Sequence, residues 1–273
     1  MYRTIFTYLS SPQTADNLSE VSAFLADTHH RAHLIGAHNS SRISIYGGVP
    51  SDFLAQHNHR QREMAAAIEQ SFKTAAASRN LSHEWRHKLL NDTDVLGDIL
   101  RQARAADLVI ASDKDQSDPL ASFDDLSIRL VLETGRPVLL VPAKTRMNSV
   151  GQRITVAWNQ SRESARAAFD ALPLLRTAAS VEILAVNPTQ DGATTPGEDL
   201  TFALSRHGVK AHAVVVNTTT RSEADELTAA LALHQSDMLV MGCYGHSRLR
   251  EMVLGGVTKH ILGHMTIPVL LSH

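Results

Sequence analysis

Two tandem α/β domains, each a five-stranded parallel sheet with helices on both faces, are the fold this 273-residue sequence predicts. Three observations predict it. Short apolar runs alternate with Ala-rich segments of helical spacing, the pattern of βαβ units. Several strand-like runs are apolar throughout, as in Val138–Val141 and Val269–Leu271, which fits strands buried on both faces. The pattern also occurs twice, which points to duplication of one domain.

The first copy opens on the β-rich run Thr4–Leu9, within a strand expected near 3–9. A helical segment follows from Thr14 to Ala26, then strands near 32–37, 83–89, 107–111 and 137–141. The second copy opens on Arg153–Trp158. Its strands are expected at 153–158, 181–186, 210–216, 237–241 and 267–271, and its helices at 162–176, 197–207, 221–234 and 256–264. The spacing between copies is 149 positions for the first strand, but 130 for Ala106–Ile110 against Ser236–Val240 and 131 for the closing Pro-Val-Leu-Leu runs. The first copy therefore carries about 19 extra residues in its middle, placed in Ser51–Ser78 as an extended helix. The polar segment Pro142–Gly151 reads as the linker, giving domains at 1–145 and 151–273.

Composition excludes several classes of function. Net charge is −2 with no long basic run, so the electrostatics of nucleic-acid binding are missing. The single cysteine, Cys243, excludes an internal disulfide framework and fits a reducing compartment. The first residues show no basic-then-apolar leader, and no apolar run is long enough to span a membrane. A cytoplasmic location is expected, with neither a membrane nor a nucleic acid as partner.

The chemistry concentrates in Gly242-Cys-Tyr-Gly245-His-Ser-Arg-Leu-Arg-Glu-Met-Val-Leu-Gly255-Gly256, between an apolar strand and a helix. Glycines after a strand let backbone N–H groups approach a ligand with no Cβ between. Glycines at a helix start add the positive end of its dipole. This is a recipe for holding phosphate, and the same residues also fit a tight turn with close helix–strand packing. No P-loop, kinase or hydrolase motif occurs.

The second copy resembles the universal stress protein family. The resemblance is carried by the spacing Gly242-x2-Gly245-x9-Gly255, by Asp237-Met-Leu-Val-Met-Gly before it, by Ile267-Pro-Val-Leu-Leu after it, and by Ile154-Thr-Val-Ala-Trp-Asn159-Gln-Ser161. It covers roughly the last 120 residues well and the first 145 more weakly, through the duplicated anchors. It implies flavodoxin-like (adenine nucleotide alpha hydrolase-like) domains. It further implies ATP, accompanied by magnesium, at the ends of the first and fourth strands, the switch point of such sheets.

Carried over residue by residue, the site comprises Ala157, Trp158 and Asn159 at the end of the first strand and Val186 at the end of the second. Met241 and Gly242 end the fourth strand, and Gly245, His246, Ser247 and Arg248 fill the loop. Gly255, Gly256, Val257 and Thr258 begin the last helix. Two positions depart from the family pattern. Gly256 stands where a Ser or Thr is usual, and Asn159 where an aspartate is usual. Weakened rather than abolished ATP binding follows.

After its own fourth strand the first copy has no glycine pair. Asp113, Asp115, Asp118, Asp124 and Asp125 stand there instead and would repel phosphate. The first domain is therefore expected to carry no nucleotide, and its acidic loop reads as solvated rather than as a cation site. The 15 histidines include close sets, among them His260 and His264 on one helical face, but none at structural-zinc spacing. Cys243 is expected to be an inert thiol, the alternative being a thiolate activated by Arg248 or the helix dipole.

The resemblance also implies an internal pseudo-dimer through last-strand pairing, with Val138–Val141 and Val269–Leu271 as candidate strands, and a homodimer as a further possibility. Three functions stay open: ATP binding in stress adaptation with at most slow hydrolysis, an interaction scaffold without nucleotide, and a slow ATP hydrolase or phosphotransferase.

Overall fold

The computed structural model describes residues 1–42, 51–112, 123–143, 149–188, 195–243 and 256–273. Contacts divide the chain into two compact units, Met1–Arg136 and Pro137–His273.

Unit 1 runs β1 (Thr4–Tyr8), α1 (Pro12–Thr28), β2 (His33–Arg42), α2 (Ser51–Ser78), β3 (His83–Asn91), α3 (Asp92–Ala103), β4 (Leu108–Ser112) and α4 (Phe123–Thr134). β1 is central. It pairs in parallel with β2 on one side and β4 on the other, and β2 pairs in parallel with β3. Ile5 and Phe6 of β1 and Leu108 and Ile110 of β4 are fully buried. Such side chains stabilise the fold by about 2 kcal/mol each. Pro12 suits the first turn of α1, where its missing N–H costs nothing. Thr7 inside the sheet donates to Ser22 of α1 at 2.9 Å, so the buried hydroxyl is satisfied. The extended helix expected from the spacing is α2, and β2 and β3 are longer than the sequence suggested. α4 begins at Phe123, so Asp124 and Asp125 belong to its first turn and not to the preceding loop.

Unit 2 runs β5 (Val138–Val141), β6 (Arg153–Ala157), α5 (Arg162–Asp170), α6 (Leu172–Leu175), β7 (Ser180–Val186), α7 (Glu198–Ser205), β8 (Ala211–Val216), α8 (Glu223–Leu233), β9 (Met238–Gly242), α9 (Gly256–Gly263) and β10 (Val269–Ser272). The parallel order is β10-β9-β6-β7-β8. β5 pairs antiparallel with β10, Val269 opposite Leu140 and Leu271 opposite Val138, so the two candidate last strands do meet. The helix expected at 162–176 is two helices. Pro173 lacks an N–H and its ring opposes the carbonyl four residues back, so α5 stops at Asp170 and a short turn restarts.

Both units tie their central strands alike. Asp107 accepts backbone N–H bonds from Arg3 at 2.7 Å and Thr4 at 2.9 Å. Asp237 accepts them from Gln152 at 3.1 Å and Arg153 at 2.8 Å. The duplication read from strand patterns thus extends to side-chain detail.

Candidate functional site

In unit 2, β6 and β9 are neighbours with Ala157 opposite Met241. The chain leaves β6 through α5 towards β7 on one side, and leaves β9 through α9 towards β10 on the other. The crevice between diverging connections lies at the carboxyl ends of these two strands. Ala157, Trp158, Met241 and Gly242 are brought together there, with Val186 one strand further at the end of β7.

Trp158 is half-buried and extends the sheet through its N–H to the Leu184 carbonyl at 2.8 Å. Asn159 is exposed, and its side-chain oxygen accepts the Ser161 N–H at 3.1 Å. Gln160 then turns through a left-handed backbone, φ 60°, and Ser161 caps α5 by accepting the Ser164 N–H at 3.1 Å. The residue expected to meet a nucleoside, Asn159, therefore also holds the cap of α5 in place.

That helix start sets the role of Gly242. A Cβ on Gly242 would lie 2.4 Å from the Ser164 nitrogen and 2.6 Å from the Glu163 carbonyl oxygen. Only glycine lets the first turn of α5 seat on β9. The reading of close helix–strand packing thus holds for this glycine.

Beside it, Glu163 is buried and bonded to Arg162 at 2.8 Å and 3.0 Å. Burial pushes its carboxyl up, but its own backbone N–H and the Arg162 guanidinium outweigh that and hold it below the usual range. Cys243 is buried, with its N–H on the Ser272 carbonyl at 3.1 Å. Burial first, then the Glu163 charge, push its thiol up to about 12. It stays protonated at neutral pH, as expected of an inert thiol. Sequence reasoning passed over Glu163, Arg162 and Ser161 as site neighbours. The signal was a serine four residues past the strand end, in helix-capping position.

Gly256, Val257 and Thr258 form the first turn of α9. Gly256 is exposed and Thr258 is buried. Gly245, His246, Ser247, Arg248 and Gly255 lie outside the described residues. So do Asp113, Asp115 and Asp118 of the acidic loop. His260 and His264 do share a face, with rings 4.6 Å apart.

Unit 1 carries different side chains beyond the end of its first strand. Its Leu9 N–H bonds the Ala37 carbonyl as Trp158 does that of Leu184, so His38 stands where unit 2 has Ala185. The buried His38 ring bonds the Leu9 carbonyl through Nδ1 at 2.8 Å. The Ser40 hydroxyl joins His38 Nε2 at 3.3 Å to His87 Nε2 at 3.0 Å. Burial lowers the pKa of His38, against the opposing pull of the Leu9 carbonyl. No sequence motif announced this chain.

Residues 151–273 match the model of the universal stress protein family. No curated protein sequence matches the chain. Among solved structures, a universal stress protein from Archaeoglobus fulgidus DSM 4304 is similar over 99% of this chain and 98% of its own, with a TM-score of 0.71 at 14% identity. A putative universal stress protein from Pseudomonas aeruginosa UCBPP-PA14 covers 99% and 93%, at 15% identity and a TM-score of 0.54. A protein of unknown function from Pseudomonas aeruginosa PAO1 covers 99% and 92%, at 14% identity and a TM-score of 0.56. Identities this low speak for the fold alone. The chain thus carries a universal stress protein domain at residues 151–273, and over its whole length it has the fold of a universal stress protein.

Proposed function

We propose that unit 2 binds an adenine nucleotide, ATP accompanied by magnesium, in the crevice at the ends of β6 and β9. The observation that carries this reading is the adjacency of those two strands, with their connections leaving on opposite sides and α9 beginning after the glycine-rich segment. In this reading Trp158 and Val186 flank the base, and Asn159 meets the ribose as a neutral partner. Backbone amides of Gly242–Gly245 and the first turn of α9 face the phosphates, with Ser247 and Arg248 adding side-chain bonds.

Hydrolysis is slow at most. The nearby buried carboxylate, Glu163, is already bonded to Arg162 and held ionised, and Cys243 holds its proton. The protein serves stress adaptation in the cytoplasm, alone or as a homodimer. The first unit takes no nucleotide, since the segment after its fourth strand lacks the glycine pair and carries Asp113, Asp115 and Asp118 instead.

A second reading is an interaction scaffold without nucleotide. One observation favours it: packing against α5 already accounts for Gly242, without any ligand.

Equilibrium dialysis of ATP with magnesium against the purified chain separates the two. Saturable binding near one ATP per chain, weakened by Gly245→Asp, is the expected result. No binding at millimolar ATP leaves the scaffold. Turnover lost in Arg248→Ala with binding retained would instead indicate an enzyme.

A further inference from the structure

The opposite ends of the strands, away from the crevice, differ between the two units. In unit 1 the C-terminal ends of α3 and α4 are clasped together. The Arg104 guanidinium donates to the Glu133 carbonyl through Nε at 3.3 Å and Nη2 at 3.2 Å. Arg136 donates through Nε to the Arg104 carbonyl at 2.9 Å. Helix C-termini leave carbonyls without intrahelical donors and carry partial negative charge, so guanidinium groups suit them.

Unit 2 has the same corner without the same clasp. The register of the two copies places His234, His264 and Ile267 where unit 1 has Arg104, Glu133 and Arg136. His234 turns away, its Nδ1 on Glu182 at 2.6 Å. Ile267 has no donor to offer. Arg153 alone substitutes in part, donating through Nε to the Gln235 carbonyl beyond the end of α8 at 2.5 Å. At the end of α9 the His264 ring bonds the His260 carbonyl through Nδ1 at 2.9 Å, and no guanidinium reaches the His264 carbonyl, the counterpart of that of Glu133, among the described residues.

A cavity of about 340 Å³ lies there. Leu231, Leu239, Ile261 and Ile267 supply apolar wall, and Thr266 and Ser236, the latter already bonded to the Thr155 hydroxyl at 2.7 Å, supply hydroxyls. Its volume falls in the range of small-molecule sites, which are mostly apolar with a few placed polar groups. Asp237 also lines it, but both carboxylate oxygens already accept backbone N–H bonds. Its charge balances that of Arg153, and the helix ends leave the corner attractive to a cation.

We propose that this cavity binds a small molecule bearing a guanidinium group on a short aliphatic stem. The guanidinium takes the place at the α9 end that Arg104 holds at the α4 end of unit 1. The stem lies on Leu231, Leu239 and Ile261. The planar fork of donors matches paired carbonyl and hydroxyl acceptors better than a point-charge ammonium does.

The test is an amide NMR titration of the full chain with n-butylguanidinium, alongside the neutral isostere N-butylurea. The expected result is saturable shifts at Ser236, Met265 and Thr266, with butylurea at least about tenfold weaker, as loss of charge-assisted bonding requires. Ile267→Arg, which restores the unit 1 residue, should abolish the shifts. Ala232→Trp, at an exposed position on the cavity wall, should do the same with little risk to folding. Equal binding of butylurea would show that the cavity reads only the apolar stem, and would overturn the proposal. So would an absence of saturation, or shifts that survive both substitutions.

Discussion

A methyl group on Gly242 would sit 2.3 Å from the carbonyl carbon of Glu163. That is backbone against backbone, so no rotamer change can relieve it. Gly242→Ala must lift the first turn of α5 off β9, and overpacking of this kind costs roughly 2–3 kcal/mol. Urea denaturation of nucleotide-free protein should show the loss in full. An unchanged midpoint would mean that the glycine is there for a ligand alone.

Cys243 should be nearly inert while the chain is folded. Burial and then the Glu163 charge raise its thiol from the ordinary 9.0 to about 12. Three pKa units reduce the thiolate fraction about a thousandfold relative to the unfolded chain. A thiol-reactive chromogenic disulfide should therefore modify the native protein at least about a thousandfold more slowly than the urea-unfolded one. Comparable rates would place the thiol in solvent and contradict its burial.

His29 packs edge-on against Tyr2, with ring centroids 5.4 Å apart, and its burial makes folding sensitive to mild acid. Burial chiefly, then the positive chain terminus and His30, lower the His29 pKa from 6.5 to about 4. Its Nε2 is buried without a partner among the described residues. Between pH 6.5 and about 4 the unfolded chain binds a proton that the folded chain refuses. Stability therefore falls as pH drops through that window, by about 3 kcal/mol, and this loss levels off below it. His29→Phe keeps the ring packing and removes the titration. Denaturation midpoints of the variant should vary less with pH across this window, leaving the smaller slope from His38 and His87. An undiminished slope would assign the acid sensitivity elsewhere.

Asp98 acts in a lower pH range. Burial raises its carboxyl, but Lys88, Asn39, Gln102 and Arg101 together outweigh that and bring it from 3.8 to about 2. Its side chain is only 6% exposed, but Lys88 and Arg101 are 49% and 66% exposed, so solvent screens part of the interaction. A depressed carboxylate stabilises the fold fully above the unfolded value and loses that contribution as pH falls through the folded one. The window is therefore pH 3.8 to about 2, and the contribution is about 2 kcal/mol. Asp98→Asn should lower stability at neutral pH and flatten the acid limb in that window, as read by circular dichroism.

Strand alternation and offset arithmetic made the doubled sheet legible, down to the extra residues that form α2. What α2 does was not legible. Its Phe72 ring lies over Gly36, 2.8 Å from where a Cβ would be, and no local pattern links positions so far apart. Pro173 announced the break after α5, yet the helical spacing around it was the more conspicuous signal. At the site, the glycine spacing was readable because a loop motif is local in sequence. The contact of Gly242 with Glu163 joins residues 79 positions apart and exists only once β6 and β9 pair. The His38–Ser40–His87 chain is hidden for the same reason: His38 and His87 become neighbours only when β2 and β3 align.

Gly256→Ser is the substitution that best separates a nucleotide site from a scaffold. Gly256 opens α9, is exposed, and has nothing among the described residues within 4 Å of the position a Cβ would take. Serine therefore fits without displacing a neighbour and, unlike glycine, adds no backbone freedom to the unfolded chain, so stability should hold or rise slightly. It also restores the hydroxyl that the family pattern has at this position, at the positive end of the α9 dipole. One added hydroxyl bond to a phosphate oxygen contributes about 1 kcal/mol, or roughly a fivefold gain in ATP affinity. Calorimetric titration of wild type and Gly256→Ser with ATP and magnesium measures this directly. AMP, which lacks the outer phosphates, serves as the control for a general change at the base. A gain for ATP that exceeds the gain for AMP places the phosphates at the start of α9. Equal and negligible binding by both proteins, with unchanged stability, would leave this helix start as a folded end without a ligand.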